Sequence, residues 1–236
     1  MFFQDWLAPH NKSIVIYDPF TGEQKNMQLD LPNPYIEEDI GGRLSWLKAD
    51  IDPTLKRVLY NDKDERLILW NMDTQKEIAS LPFPTDLLAG TWSPDGKVFA
   101  IPTRSSRSSR SASTELLTIN MDGIVKTTNF NQEYPFVNVD TQPNWSPDGR
   151  YIAYWLKISN TTNASPRALR EWLAVTNSAT FTTQIYCLSS DSLDKRGTNI
   201  VWSPDSTQLL VTTSSSNITD EGREAVLVDL NHLHTG

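Results

Sequence analysis

Apolar residues in this chain gather in short runs, and each run stops at a polar turn. Ile14-Val15-Ile16-Tyr17-Asp18 leads into Pro19-Phe20-Thr21-Gly22, and Leu67-Ile68-Leu69-Trp70-Asn71 leads into Met72-Asp73-Thr74. Leu116-Leu117-Thr118-Ile119-Asn120 leads into Met121-Asp122-Gly123, and Ile185-Tyr186-Cys187-Leu188 leads into Ser189-Ser190-Asp191. Val226-Leu227-Val228-Asp229 is the last of the series. Short β-rich runs bounded by turn residues at this spacing predict an all-β chain.

A second signal interleaves with the first. Trp92-Ser93-Pro94-Asp95-Gly96-Lys97 recurs as Trp145-Ser146-Pro147-Asp148-Gly149-Arg150 and as Trp202-Ser203-Pro204-Asp205-Ser206. The prolines are 53 and 57 residues apart, and a worn copy at Asp52-Pro53-Thr54-Leu55-Lys56 stands 41 residues before the first. Repetition at this period marks a repeat architecture. Each box reads as a tight turn. Proline presets φ, aspartate bonds backbone amides, and glycine accepts a positive φ. Ser206 in the glycine place predicts either a cost of about 1 kcal/mol or a different turn. The tryptophan is large enough to fill the space between two sheets.

Each unit therefore predicts four strands. One ends at tryptophan, one follows the turn, one ends at Asp or Asn, and a weaker outer one follows, as at 76–80 and 124–130. A four-stranded antiparallel sheet at this repeat is a propeller blade. The WSPDG box followed by these strands resembles the TolB-type, WD-like β-propeller repeat over roughly residues 42–236. That resemblance implies a rigid protein-binding scaffold, in relatives that typically carry six or more blades. The same box also resembles the gating propeller of prolyl-oligopeptidase and dipeptidyl-peptidase enzymes, which precedes a hydrolase domain.

The expected organisation is an N-terminal segment, 1–41, with a partial blade near 13–18 and 24–29, and then propeller blades over 42–236. Four units fall at about 42–82, 88–137, 140–195 and 197–236, so four full units and a partial one are expected, as a small ring or as part of a larger one. Open blade edges would invite self-association. A helical insertion is expected near 157–181. Ser165 is its N-cap and Pro166 its first residue, with an apolar stripe of Leu169, Trp172 and Leu173.

Composition narrows the chemistry. The 236 residues carry a formal charge of −8, which disfavours nucleic acid as a partner. The longest apolar runs are about six residues, against the roughly 20 that a membrane helix needs. The single Cys187 excludes an internal disulfide. The opening MFFQDWLAPH lacks a basic n-region, which leaves the compartment unassigned: cytoplasmic by default, extracytoplasmic if the natural N-terminus lies further upstream.

Few residues offer themselves as a site. Arg104, Arg107 and Arg110 recur at period three in a serine-rich hairpin tip and could meet an acidic group. Leu169 and Trp172 could anchor a partner. His232 and His234 lack an evident third ligand, so no metal or cofactor is expected. Neither a G-x-S-x-G elbow nor an H-E-x-x-H motif is present. The residues that define the repeat are read as structural: Trp92, Pro94, Asp95 and Gly96; Trp145, Pro147, Asp148 and Gly149; Trp202, Pro204 and Asp205. The expectation is a non-catalytic scaffold for a protein or peptide. The alternatives are the propeller portion of a peptidase-like hydrolase, or a propeller lyase or glycan hydrolase.

Overall fold

The structure is a computed structural model. It describes residues 2–3, 13–17, 20–38, 45–47, 49–82, 90–103, 115–128, 130, 136–139, 142–159, 170–186, 199–213 and 224–230. The chain divides into two units, Met1–Leu88 and Ala89–Gly236. Both are all-β, and every pairing among the described residues is antiparallel.

The described residues of the first unit form three sheets. Strands β1 (Phe2–Phe3), β2 (Ser13–Tyr17) and β3 (Gln24–Gln28) form one, and β4 (Ile36–Glu38) and β5 (Ser45–Leu47) form a hairpin. Strands β6 (Ala49–Ile51), β7 (Arg57–Asn61), β8 (Leu67–Asn71) and β9 (Lys76–Leu81) form a four-stranded meander in chain order. Leu29 and Leu31, just after β3, pack on one face of that meander against Val58, Tyr60 and Ile68. The Tyr60 hydroxyl donates to the Pro32 carbonyl at 3.0 Å, which ties the connecting segment to the blade.

The described residues of the second unit form three blades. Strands β10 (Thr91–Trp92), β11 (Val98–Pro102), β12 (Leu116–Asn120) and β13 (Val125–Thr127) make the first. The second has five strands, β14 (Phe136–Val139), β15 (Asn144–Trp145), β16 (Tyr151–Ser159), β17 (Arg170–Asn177) and β18 (Thr183–Tyr186). Both β14 and β15 pair with the long β16. The third has three, β19 (Ile200–Trp202), β20 (Gln208–Thr213) and β21 (Glu224–Asp229). The four-stranded antiparallel meander, complete in β6–β9 and β10–β13, with a tryptophan-ended strand before the turn in each sheet of the second unit, is the sheet of a β-propeller, and this is the fold class of the chain.

Two expectations need correction. Residues 170–173 are not helical, and β17 pairs with β16 over eight positions, from Ile158↔Arg170 to Tyr151↔Asn177. Trp172 and Leu173 do not share a stripe. Trp172 packs on the cluster around Tyr154 and Leu156, and Leu173 on the one around Ala153 and Trp155. Their alternation is the period-two pattern of a strand covered on both faces, which reads in sequence as one continuous apolar run. Ser165–Leu169 lies outside the described residues. The run at Ile185-Tyr186 is the blade's outer strand, and the Asn-terminated third strand is β17. Its signal, Trp172-Leu173-Ala174-Val175-Thr176-Asn177 followed by Ser178-Ala179-Thr180, obeys the same rule as the other blades. No described residue belongs to a helix long and apolar enough to cross a membrane.

Candidate interaction surface

The repeated box builds one turn four times. In each copy the fourth residue's N–H donates to the first residue's carbonyl: Gly96 to Ser93, Gly149 to Ser146, Ser206 to Ser203 and Leu55 to Asp52, at 2.8–2.9 Å. The fourth residue has positive φ every time, at 68° for Gly96, 72° for Gly149, 62° for Ser206 and 60° for Leu55. Ser206 therefore keeps the turn rather than changing its type.

Serine is the hub of the box. Ser146 Oγ is buried, donates to Asp148 Oδ1 at 2.7 Å and accepts from Tyr151 N at 2.9 Å. Ser93 donates to Asp95 at 2.7 Å and accepts from Lys97 N and Val98 N. Ser203 donates to Asp205 at 2.6 Å and accepts from Gln208 N. In the worn copy the two roles trade places. Asp52 Oδ1 accepts from Lys56 N at 2.8 Å, Thr54 Oγ1 donates to Asp52 Oδ2, and Arg57 pairs with the same oxygen. The serines recur in the sequence as regularly as the Trp, Pro, Asp and Gly taken above to define the repeat.

Each box aspartate is engaged within its own turn. Burial pulls the Asp148 carboxyl upward, but hydrogen bonds from the Arg150 backbone, Ser146 and the Arg150 guanidinium outweigh it and leave its pKa at about 2. The same opposition lowers Asp95, and the bond from Ser203 leads in lowering Asp205. Asn71, Asn120 and Asn177 at the ends of third strands cap the next turn, each accepting two backbone N–H bonds.

The tryptophans link successive blades of the second unit. Trp145 Nε1 donates to the Thr91 carbonyl at 3.2 Å, and Trp202 Nε1 donates to the Asn144 carbonyl at 3.1 Å. Thr91 and Asn144 each precede the box tryptophan of the earlier blade. Trp92 Nε1 has no hydrogen-bond partner among the described residues. Asn144 Nδ2 and Ser206 Oγ strengthen the second joint, bonding Ile200 O and Asp148 N. Tyr151 stacks on Trp202 with ring centroids 6.2 Å apart.

Apolar packing at the joints follows one rule. Ala100 and Leu116 of the first blade meet Trp145, Ile152 and Tyr154 of the second. Ala153, Trp155, Leu173 and Val175 on the second blade's other face meet Leu209, Val211 and Val228 of the third. Counted from the box, Leu59, Ala100, Ala153 and Leu210 hold one position. The first three are fully buried, whereas Leu210 is 40% exposed. Beside it lie Val201 at 54% and Leu227 at 60%, and the register pairs Val201↔Leu210↔Leu227 straight across the three strands. This aliphatic row is the face that a neighbouring sheet covers on the second blade.

Arg104, Arg107, Arg110 and Leu169 lie outside the described residues. So do His232 and His234. Trp172 stands on β17 with its ring against the core. Among the described residues no group of three His, Cys, Asp or Glu side chains is placed to hold a metal ion. The first unit has a cleft of about 370 Å³ floored by Trp70, Met27 and Met72. Lys25, Lys56, Asp30 and Asp73 also line it, so it favours neither charge sign.

No protein-family model matches the chain, and no curated protein matches it. Among solved structures it is similar to the dihydro-heme d1 dehydrogenase NirN, at 14% identity and a TM-score of 0.47, over 96% of this chain and 41% of that one. It is similar to the β-propeller domain of Myceliophteria thermophila Cps50 (Swd1), at 10% identity and 0.43, over 94% and 64%. A Bacteroides uniformis protein provisionally assigned as a 6-phosphogluconolactonase gives 13% and 0.41, over 92% and 78%. Likeness at this level carries no activity across.

Proposed function

We propose that this chain is a non-catalytic interaction module that docks a protein or peptide partner on the outward face of the β19–β20–β21 sheet. What supports it is the exposed row Val201–Leu210–Leu227. Single exposed apolar residues are ordinary, but three in register on one sheet face form a contiguous patch of the kind that marks contact sites. The box residues serve as its frame, since their polar atoms, Trp92 Nε1 excepted, bond within their own turns or to an adjacent blade, and so the blades present the row rigidly.

Photo-cross-linking tests this assignment. Leu227→p-benzoylphenylalanine places the probe on the row, and Ile124→p-benzoylphenylalanine places it at an exposed site of another blade. The chain is irradiated in the cells that produce it. An adduct from position 227 and none from 124 is expected. No adduct from 227, or equal adducts from both, refutes docking on this face.

A further inference from the structure

We infer that the cleft of the first unit is a binding site for a free aromatic α-amino acid, held by its ring and by both of its charged groups. The site is independent of the docking reading above. Three observations carry it.

The first is a corner that the second unit fills and the first unit leaves open. Lys126 on β13 pairs with Thr118, and Lys25 on β3 pairs with Ile16. Those partners stand two residues before Asn120 and Asp18, so the two lysines hold one position. Lys126 Nζ reaches the turn after β17, where it donates to the Ala179 carbonyl at 3.3 Å and stands 5.9 Å from the centre of the Phe181 ring. Lys25 lines the cleft beside the turn after β8. The two turns are built alike. Ser178 N donates to the Arg150 carbonyl, and Met72 N to the Lys56 carbonyl. Phe181 and Gln75 each stand four residues after the Asn that ends the strand, with φ of 61° and 54°. Gln75 thus takes the place of Phe181, but its Nε2 folds back to the Met72 carbonyl at 2.7 Å. It supplies no ring, and a cleft of about 370 Å³ stands there.

The second is the floor. Met27, Trp70 and Met72 line the cleft and are only half-buried. Thioether sulfur and an indole face both favour an aromatic ring. A ring seated on them takes the place that Phe181 holds in the other corner, and Lys25 meets its face as a cation. The volume lies in the range of small-molecule sites.

The third is charge. Lys25, Lys56, Asp30 and Asp73 line the cleft, and their charged groups make no ion pair among the described residues. Two cations and two carboxylates around one apolar floor match a molecule that carries one charge of each sign. A lone acid would meet the aspartates, and a lone amine the lysines, so either is disfavoured. Lys56 takes the ligand carboxylate, and Asp30 and Asp73 take its ammonium. A ligand of about twelve non-hydrogen atoms at ordinary efficiency binds with dissociation on the order of 1 mM.

L-Phenylalanine titrated into the full chain, labelled with carbon-13 at its methionine methyl groups, tests this by NMR. Met27 and Met72 line the cleft, and Met121 of the second unit is the reference. The ring current is expected to move the Met27 and Met72 signals saturably and to leave Met121 in place. L-Alanine, 3-phenylpropionate and phenethylamine lack the ring, the ammonium and the carboxylate in turn, and each should bind roughly tenfold more weakly or worse. Gln75→Phe should abolish the shifts with the melting temperature unchanged, because it rebuilds the corner that Phe181 completes. Lys25→Ala is the second variant should Gln75→Phe fold poorly, and it should weaken binding roughly tenfold. Unmoved Met27 and Met72 signals, an equal shift at Met121, or undiminished binding by either variant overturns the inference. So does equal binding of alanine, the lone acid or the lone amine.

Discussion

Replacing Ser146 by alanine tests whether serine or aspartate holds the repeated turn. The hydroxyl is buried and makes two bonds, to the Asp148 carboxylate and from the Tyr151 N–H. A bond to a charged group contributes about 1.5–3 kcal/mol, and a buried donor left without its acceptor costs about 1–3. The terms overlap because one atom makes both bonds, so Ser146→Ala should cost about 2–4 kcal/mol. For a unit of this size that lowers Tm by roughly 6–12 °C. Ser203 makes the same pair of bonds, but its turn is more exposed and water replaces the lost partner. Ser203→Ala should cost only about 1 kcal/mol. Asp148→Ala keeps the Ser146–Tyr151 bond and should fall between the two. Urea titration followed by tryptophan fluorescence gives all three values. If Asp148→Ala costs more than Ser146→Ala, or if the two serine variants lose equally, serine is not the hub and burial does not set its worth.

Backbone conformation supplies a second expectation: Leu55→Gly should stabilise by about 1 kcal/mol, because Leu55 sits at φ 60° without a side-chain bond to keep. Ser206→Gly gains the same relief but loses the bond from Asp148 N, so its melting temperature should barely move. At Gly90 a Cβ would lie 2.3 Å from the Phe99 ring, and Gly90→Ala should destabilise by about 1–3 kcal/mol through overpacking, read by the same titration. Acid should weaken the second unit in a defined window. The Asp148 pKa is depressed when folded, so its contribution is complete above its unfolded value of roughly 4 and disappears as pH falls toward about 2. Melting temperature against pH should show that loss, and Asp148→Asn should make it shallower over the same range, leaving the part that Asp95 and Asp205 contribute.

The fold was legible because its signals are local and repeated. Tryptophan, the Ser-Pro-Asp turn and the Asn that ends a third strand each act within a few residues, and they recur in the sequence as they recur in space. The insertion was misread for the opposite reason. Ser165 and Pro166 spell a helix start, and Leu169, Trp172 and Leu173 fit a helical stripe as well as a doubly covered strand. Only the partner strand β16, nine residues long, decides between them, and its pairing is a long-range fact. The worn first box was legible in its proline and lysine. Its exchange of serine for Asp52 and of aspartate for Thr54 was not, because the turn requires an acceptor beneath the backbone and either side chain supplies one.

The exposed row was illegible for a deeper physical reason. In a stack of blades every inner sheet is covered on both faces, so its strands read as unbroken apolar runs. Val201, Leu210 and Leu227 belong to such runs and look like core residues in the sequence. Whether a position is core or surface depends on whether another sheet follows, and no residue of the blade itself encodes that. Size is no local trace of it. Counted from the box, Leu59, Ala100, Ala153 and Leu210 hold one position, and Leu59 is as fully buried as the two alanines whereas Leu210 is not. The same side chain is core in one sheet and surface in another, and only the sheet packed against it decides which.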